Sequence, residues 1–266
     1  MVTPVFKIDY FTRQQLRALA VTAVIIGLTY WAIGYTDYDI ARGFESLPKA
    51  LNWGIQNFYP DTASLKKLPN IMKKLQETLI SAVTATTCAS FVAFIVAILG
   101  ATSTRPHWFF SVTSRGIASI FRNIDVSAWS LILLFSFGQS TFTGYLALLF
   151  VTFGFMVRVL IETIDEIGAD SIEAIRATGA SASAVITQSV IPTCLPRLVS
   201  WTLFMIETNI RSATLIGILT GTGIGYSFDL YYKNLNYHAA SLVIVVIVIT
   251  VLVVESFSNV IRRIIQ

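Results

Sequence analysis

The sequence carries little charge. Only 13% of its 266 residues are Asp, Glu, Lys or Arg, whereas 55% are hydrophobic. This composition is too apolar for an ordinary soluble domain. The net charge of +4 also comes without a block of clustered Lys and Arg, which nucleic-acid binding requires. No nucleic-acid partner is therefore expected.

Residues that carry catalytic and metal chemistry are scarce. Cys88 and Cys194 are the only cysteines, and His107 and His238 are far apart without metal-ligand spacing. No lysine follows a glycine, so the phosphate-binding Gly-x-x-x-x-Gly-Lys-Ser/Thr loop is absent. No serine has a His–Asp arrangement nearby to activate it. We predict that the chain is not an enzyme and has no catalytic residue, metal site or cofactor of its own.

Long apolar runs dominate instead. A membrane-spanning helix needs about 20 mostly apolar residues, and the first run is long enough to remain as an anchor rather than a cleaved signal. We therefore predict an all-α, polytopic protein of the cell membrane, in contact with the lipid bilayer. Its six predicted spans are Leu16–Ile33, Thr78–Leu99, Ile117–Phe137, Phe142–Ile161, Leu198–Leu219 and Ala239–Phe257.

Basic residues at both ends set the predicted orientation. Lys7, Arg13 and Arg17 flank the first span on its N-terminal side, and Arg262 and Arg263 follow the last. Because positive charge favours the cytoplasmic side, both termini are predicted to be cytoplasmic.

The loop 34–77 is then extracellular, although it is rich in lysine. Apolar residues spaced three and four apart predict an amphipathic helix that lies in the membrane interface until the chain turns inward at Gln76. A soluble helical cap is the alternative. The apolar residues are Leu65, Leu68, Met72, Leu75 and Leu79.

A polar loop, 162–196, joins the fourth and fifth spans. Asp170 and Glu173 have the spacing of a capping box that begins a short helix, and Gly179 is placed to end it in the left-handed conformation. Ser181 is predicted to cap a second short helix, and Pro192 to terminate it. The loop should thus form a compact knob outside the membrane.

Ionisable residues inside spans are costly and usually face a cavity or one another. Arg122 and Asp125 are three residues apart, and Glu207 and Arg211 are four apart, so each pair is predicted to meet on one helix face. Two interpretations stay open. The pairs either lower the cost of insertion or line a pathway for a polar solute.

Four glycines follow these residues at the end of the fifth span and just beyond it. They permit irregular backbone at membrane depth, which suggests a gate or hinge, and they equally permit close helix packing. The glycines are Gly217, Gly221, Gly223 and Gly225.

The run Glu173-Ala-Ile-Arg-Ala-Thr-Gly179, with Ile191-Pro192 twelve residues further on, resembles the coupling loop of the membrane subunits of binding-protein-dependent ABC importers. The runs Arg122–Asp125, Glu207–Thr214 and Gly221–Gly225 are similar to the phosphonate/phosphite subfamily, which shares the type I, methionine-importer fold. Three positions depart from the pattern: Ile175 and Ser189 replace Ala and Ile, and Thr222 interrupts the glycines.

The resemblance implies a domain organisation and a set of partners. Residues 1–75 would add one span and an outer segment to a permease core, 76–266, with its coupling loop at 162–196. Two permease subunits, identical or closely related, would form the pathway, and an ABC ATPase dimer would bind ATP and magnesium. A solute-binding protein would deliver phosphonate- or phosphite-type oxyanions.

The resemblance also implies a role for named residues. Contact with the ATPase is expected at Glu173, Ala174, Arg176, Ala177, Gly179 and Ala180. The pathway is expected at Arg122, Asn123, Asp125, Glu207, Asn209, Arg211 and Thr214.

Other interpretations remain at this point. The same architecture could import a small amino acid such as methionine. An ATP-independent secondary transporter would need repeated halves, and residues 1–133 and 134–266 show no repeat. A channel would need a selectivity filter, for which only the glycine run is a candidate. A need for ATP and a solute-binding protein distinguishes the importer from the ATP-independent classes.

Overall fold

The computed structural model describes residues 10–36, 39–167 and 169–265, and all regular structure within them is helical. The predicted all-α fold is therefore confirmed. The chain forms two compact units, Met1–Asn57 and Phe58–Gln266. The first unit contains α1 (Tyr10–Tyr35) and α2 (Ile40–Asn57).

The second unit contains the remaining helices. They are α3 (Thr62–Leu65), α4 (Leu68–Gly100), α5 (Trp108–Asn123), α6 (Val126–Phe137), α7 (Thr141–Ile167), α8 (Ala169–Ala177), α9 (Ala182–Val185), α10 (Ile191–Thr220), α11 (Gly223–Lys233) and α12 (Tyr237–Ile265). A single π-helical turn, Ile186–Val190, joins α9 to α10.

Within the described residues, five stretches of helix are long and apolar enough to cross a membrane: α1, α4, α7, α12 and the stretch from α9 through α10. They contain five of the six predicted spans. The third predicted span is not one helix, because α5 and α6 meet at an angle of 90°. Ile124 is extended at the break, and the Asp125 carboxylate accepts a hydrogen bond from the Ser127 N–H and so begins a new helix.

The predicted inward turn at Gln76 is wrong. α4 runs without interruption from Leu68 to Gly100, so the segment before Gln76 is the start of the second span. Ile71 and Leu75 are buried with Ile224 of α11, which fixes this start in the packed unit. The two compact units divide after Asn57, and residue 75 lies inside α4; the division into residues 1–75 and a permease core 76–266 stays a prediction.

Small residues allow the central helices to approach closely. Five alanines of α4 recur at steps of three or four and are completely buried, so a neighbouring backbone can lie directly against this face. Two of them belong to the cluster that packs with Leu148 of α7 and Ile210 of α10, and two others to the cluster around Leu160. The alanines are Ala82, Ala85, Ala89, Ala93 and Ala97.

Asn209 joins three helices at this junction. The side-chain nitrogen of Asn209, in α10, donates to the hydroxyl oxygens of Thr86 in α4 and Thr152 in α7, both at 2.7 Å. All three residues are buried. The predicted pathway residue Asn209 therefore has no exposed face to offer a solute in this conformation.

Asn209→Ala is expected to destabilise the membrane-embedded unit, because both interhelical hydrogen bonds are lost. At about 0.6 kcal/mol for an average bond in a membrane, and up to about 1.7, the loss is roughly 1–3 kcal/mol. A lower thermal unfolding midpoint in detergent would show it. Thr208→Ala is the matched control, since the exposed Thr208 hydroxyl bonds only within its own helix. Equal midpoints for the two variants would contradict the three-helix role.

Candidate functional site

The break between α5 and α6 places three polar residues on the surface of the unit. Arg122 and Asn123 end α5, Asp125 begins α6, and all three are exposed. The predicted meeting of Arg122 and Asp125 on one helix face is wrong, because the two residues lie on helices at 90° to each other. Irregular backbone at membrane depth is tolerated only when protein buries it or water reaches it. The exposed break thus favours a watery cavity or a subunit interface on this side.

The break is held in place by α7 and by aromatic packing. A Cβ added to Gly154 of α7 would lie 2.6 Å from the Arg122 backbone nitrogen, so only glycine admits this approach. The Trp129 indole N–H donates to the Phe121 carbonyl at 3.3 Å, and the two rings stack at 5.3 Å. One carbonyl released at the end of α5 therefore has a partner on α6.

Glu207 forms a second polar cluster. Its carboxylate forms an ion pair with Arg211 at 3.2 Å, which confirms the predicted contact between these two residues, and it accepts a hydrogen bond from Arg262 of α12 at 3.2 Å. Arg262 also donates to the Ser258 hydroxyl. From the sequence, Arg262 is expected only to orient the last span; its contact with Glu207 joins residues 55 positions apart.

Arg211 and Thr214 face a groove between α10, α11 and α12 with a volume of about 350 Å³. The Arg211 side chain is 51% exposed, whereas that of Glu207 is 11% exposed. The arginine is thus the member of the pair that a solute or a neighbouring subunit can reach.

The polar break and the segment of α10 that carries Glu207 pack against the same buried cluster. Val126, the first residue after the break, packs against the buried cluster that contains Ile210, three residues after Glu207. Ile206 packs against the same cluster. The break and the Glu207 segment are thus neighbours through this cluster, whereas Asn209 itself is buried.

The glycine run forms a turn between α10 and α11. Gly221 has a φ of +69° and ends α10, and a Cβ on Gly225 would collide with the Thr214 carbonyl. The Ile224 N–H donates to the Thr78 hydroxyl of α4 at 2.8 Å. The fifth span thus ends in irregular backbone, and the glycines also provide close packing. A gating role for Gly217, Gly221, Gly223 and Gly225 stays a prediction.

The loop after α7 forms the predicted knob of two short helices across a glycine turn. Gly179 has a φ of +80°, and the Ser181 hydroxyl accepts a hydrogen bond from the Ala184 N–H. α8 begins at Ala169, so Asp170 lies in its first turn rather than at the N-cap.

Pro192 begins α10, so the prediction that it ends a helix is wrong. A proline at the first turn of a helix removes no interior hydrogen bond. The π turn at Ile186–Val190 carries the chain from α9 directly into α10.

The knob has a buried side and an exposed side. Ile172 is buried among residues of α7 and α10, and the Ser189 hydroxyl, also buried, donates to that of Ser171 at 2.9 Å. Ser189, a departure from the family pattern, thus fastens α8 to the π turn. The predicted coupling residues lie on the other side: Ala180 is half-buried, and the exposed ones are Glu173, Ala174, Arg176, Ala177 and Gly179.

A chain of polar contacts connects the knob to α5. Arg176 donates to the Ser103 carbonyl at 2.6 Å, and the Ser103 N–H and hydroxyl donate to Asp165 at 3.1 and 3.0 Å. Asp165 also pairs with Arg115 of α5 at 3.1 Å. We call these four residues the Arg176–Arg115 chain. Sequence spacing does not predict these contacts, because Ser103 is 62 positions from Asp165 and 73 positions from Arg176.

Residues 89–266 match the family of binding-protein-dependent transport system inner membrane components, and the chain belongs to this family. A relative described as a putative phosphite transport system permease protein, HtxC of Stutzerimonas stutzeri, is 28% identical over 250 residues, 94% of this chain and 87% of the relative. The phosphite transport system permease protein PtxC of the same organism is 24% identical over 94% of this chain and 89% of that protein.

The fold is shared with a solved permease. The inward-facing MetNI methionine ABC transporter matches with a TM-score of 0.65 at 21% identity, over 74% of this chain and 96% of that chain. This likeness confirms the predicted methionine-importer fold. The family match and the apolar helices support a multi-pass inner-membrane protein.

Gly154→Ala is expected to displace the end of α5, because the new methyl group meets backbone atoms that cannot move independently. Overpacking of this kind costs about 1–3 kcal/mol, which lowers the unfolding midpoint in detergent. Gly116→Ala, within α5, is the control: its Cβ would meet nothing within 4 Å, and alanine stabilises a helix interior by about 0.5–1 kcal/mol. A Gly154→Ala midpoint at or above that of the Gly116→Ala variant would contradict the contact.

Proposed function

We propose that this chain is the transmembrane subunit of an ATP-driven importer that passes phosphite- or phosphonate-type oxyanions delivered by a solute-binding protein. A second permease subunit completes the pathway, and a separate ATPase dimer binds ATP and magnesium and grips the knob. Both chain termini and the knob lie on the cytoplasmic side.

The exposed knob is the observation that carries the proposal. A solvent-facing surface of small residues, held rigidly by Ile172 and the Ser171–Ser189 hydrogen bond, is suited to close docking of another protein. Membership of a binding-protein-dependent family supports the same interpretation. ATP binding and release in the ATPase would move the knob as a rigid body and switch the pathway between its two faces.

The substrate class is supported by charge and by the relatives. Arg122, at the break, and Arg211, in the Glu207 cluster, are exposed cations, and guanidinium groups suit oxyanions. Two relatives that span nearly the whole chain are named as phosphite permeases. Conduction requires weak binding, so the cognate binding protein supplies the affinity.

Reconstitution in liposomes tests the proposal. The chain, its cognate ATPase and the solute-binding protein are expected to accumulate labelled phosphite or methylphosphonate only when ATP and the binding protein are both present. L-methionine is the comparison solute. Uptake of methionine but not of phosphite or methylphosphonate would show that the proposed substrate class is wrong. Uptake without ATP would overturn the importer mechanism.

Asp165→Ala is expected to weaken coupling, because it removes the carboxylate that links Ser103 to Arg115. Coupling free energies of about 1–3 kcal/mol correspond to 5–150-fold, so ATP-driven uptake should fall by roughly tenfold while the ATPase still co-purifies. The measurement is uptake per ATP hydrolysed in the same liposomes.

Glu166→Ala is the matched control, since Glu166 is the exposed neighbour of Asp165. Arg115→Lys keeps a cation beside Asp165 and should retain most of the uptake. Unchanged uptake in the Asp165→Ala variant would exclude the Arg176–Arg115 chain from coupling. Loss of the ATPase from that variant would instead assign Asp165 to the stability of the knob.

A further inference from the structure

Helix α2 has one apolar face that is exposed in the structure. Four large apolar residues recur along it at steps of three and four, so they line one side of the helix. Phe44 is 70% exposed, Leu47 54%, Leu51 66% and Ile55 75%. Four exposed apolar side chains on one face of a helix indicate that lipid or another protein buries this face.

The opposite face is slightly basic and mostly polar, and it also carries Trp53, four residues after Lys49. Arg42, Glu45 and Lys49 give the helix one more positive than negative charge, and Asn52 lies on the same side. Burying this face in hydrocarbon would cost about 2.5–3.5 kcal/mol for each charged residue at mid-membrane. α2 is therefore not a seventh span.

The chain ties the start of α2 to a membrane surface. α1 has 26 residues, about 39 Å of helix at 1.5 Å per residue, which exceeds the hydrocarbon thickness of about 30 Å. It ends at Tyr35, and α2 begins at Ile40. The intervening four residues reach at most about 14 Å, so α2 begins near the headgroups.

Pro48 limits how deeply α2 can lie in the membrane. It lies inside α2 and has no N–H to donate to the Phe44 carbonyl, so this carbonyl needs water or another donor. In hydrocarbon such a group costs several kcal/mol, whereas the headgroup layer contains water.

We propose that α2 lies along the membrane interface on the face where α1 ends, as an amphipathic lipid-binding helix. Phe44, Leu47, Leu51 and Ile55 enter the boundary between headgroups and acyl chains, while Arg42 and Lys49 meet lipid phosphates. The interfacial helix predicted at Leu65–Leu79 is thus assigned to a different segment, 40–57. The assignment rests on α2 itself and does not depend on the transported solute.

Depth-dependent quenching on the full-length protein tests this assignment. In a background with Cys88→Ser and Cys194→Ala, bimane is attached at Leu47→Cys or Leu51→Cys, with Glu45→Cys and Asn52→Cys as controls on the opposite face. In phosphatidylglycerol/phosphatidylcholine proteoliposomes, brominated lipid should quench the first two several-fold more strongly than the controls. Aqueous iodide should give the reverse order.

Three outcomes overturn the proposal. Equal iodide quenching at positions 51 and 52 would place the helix in water. Protection of Leu51→Cys that appears only after the solute-binding protein is added would identify a protein, rather than lipid, as the cover. Quenching by brominated lipid at all four positions would show that the helix is inserted across the bilayer.

Discussion

The absence of water at membrane depth is the constraint on which this structure depends. Every backbone N–H and C=O group there needs a partner within the protein or access to a watery cavity. The break between α5 and α6 meets this requirement locally: Asp125 caps the new helix, Trp129 bonds the Phe121 carbonyl, and Gly154 lets α7 lie directly against the backbone. Because capping, hydrogen bonding and close packing all support this break, it is an integral feature of the fold.

Two polar side chains of α10, Asn209 and Arg211, are accommodated in different ways. Asn209 is buried and bonds both Thr86 and Thr152, so its polarity holds three helices together. Arg211 instead pairs with Glu207 while half of its side chain remains exposed. Only Arg211 leaves charge accessible. Asn209 therefore belongs to the packed core, whereas Arg211 belongs to the surface that a solute could meet.

The sequence predicts the features that depend on local rules. Five spans follow from apolar length, and the glycine turn of the knob follows from Gly179 and Ser181. The remainder depends on tertiary contacts. Ile117–Phe137 looks like one apolar run because helix-breaking here relies on capping by Asp125, and α4 continues past Gln76 because Ile71 and Leu75 are buried. The partner Arg262 comes from a helix 55 positions away, which no spacing rule reveals.

Helix α5 is the element at which the knob and the polar break meet. Arg115 receives the chain of contacts from Arg176 of the knob, and Arg122 stands two turns further on, where the helix ends against Gly154. A helical segment of seven residues is short, about 10 Å, and stiff on that scale. A displacement of the knob that pulls on Asp165 would therefore reach the break without bending α5. Because α6 departs from α5 at 90°, the exposed residues Arg122 and Asp125 lie where this stiff segment ends, whereas Asn209 is bonded to Thr86 and Thr152 in the core.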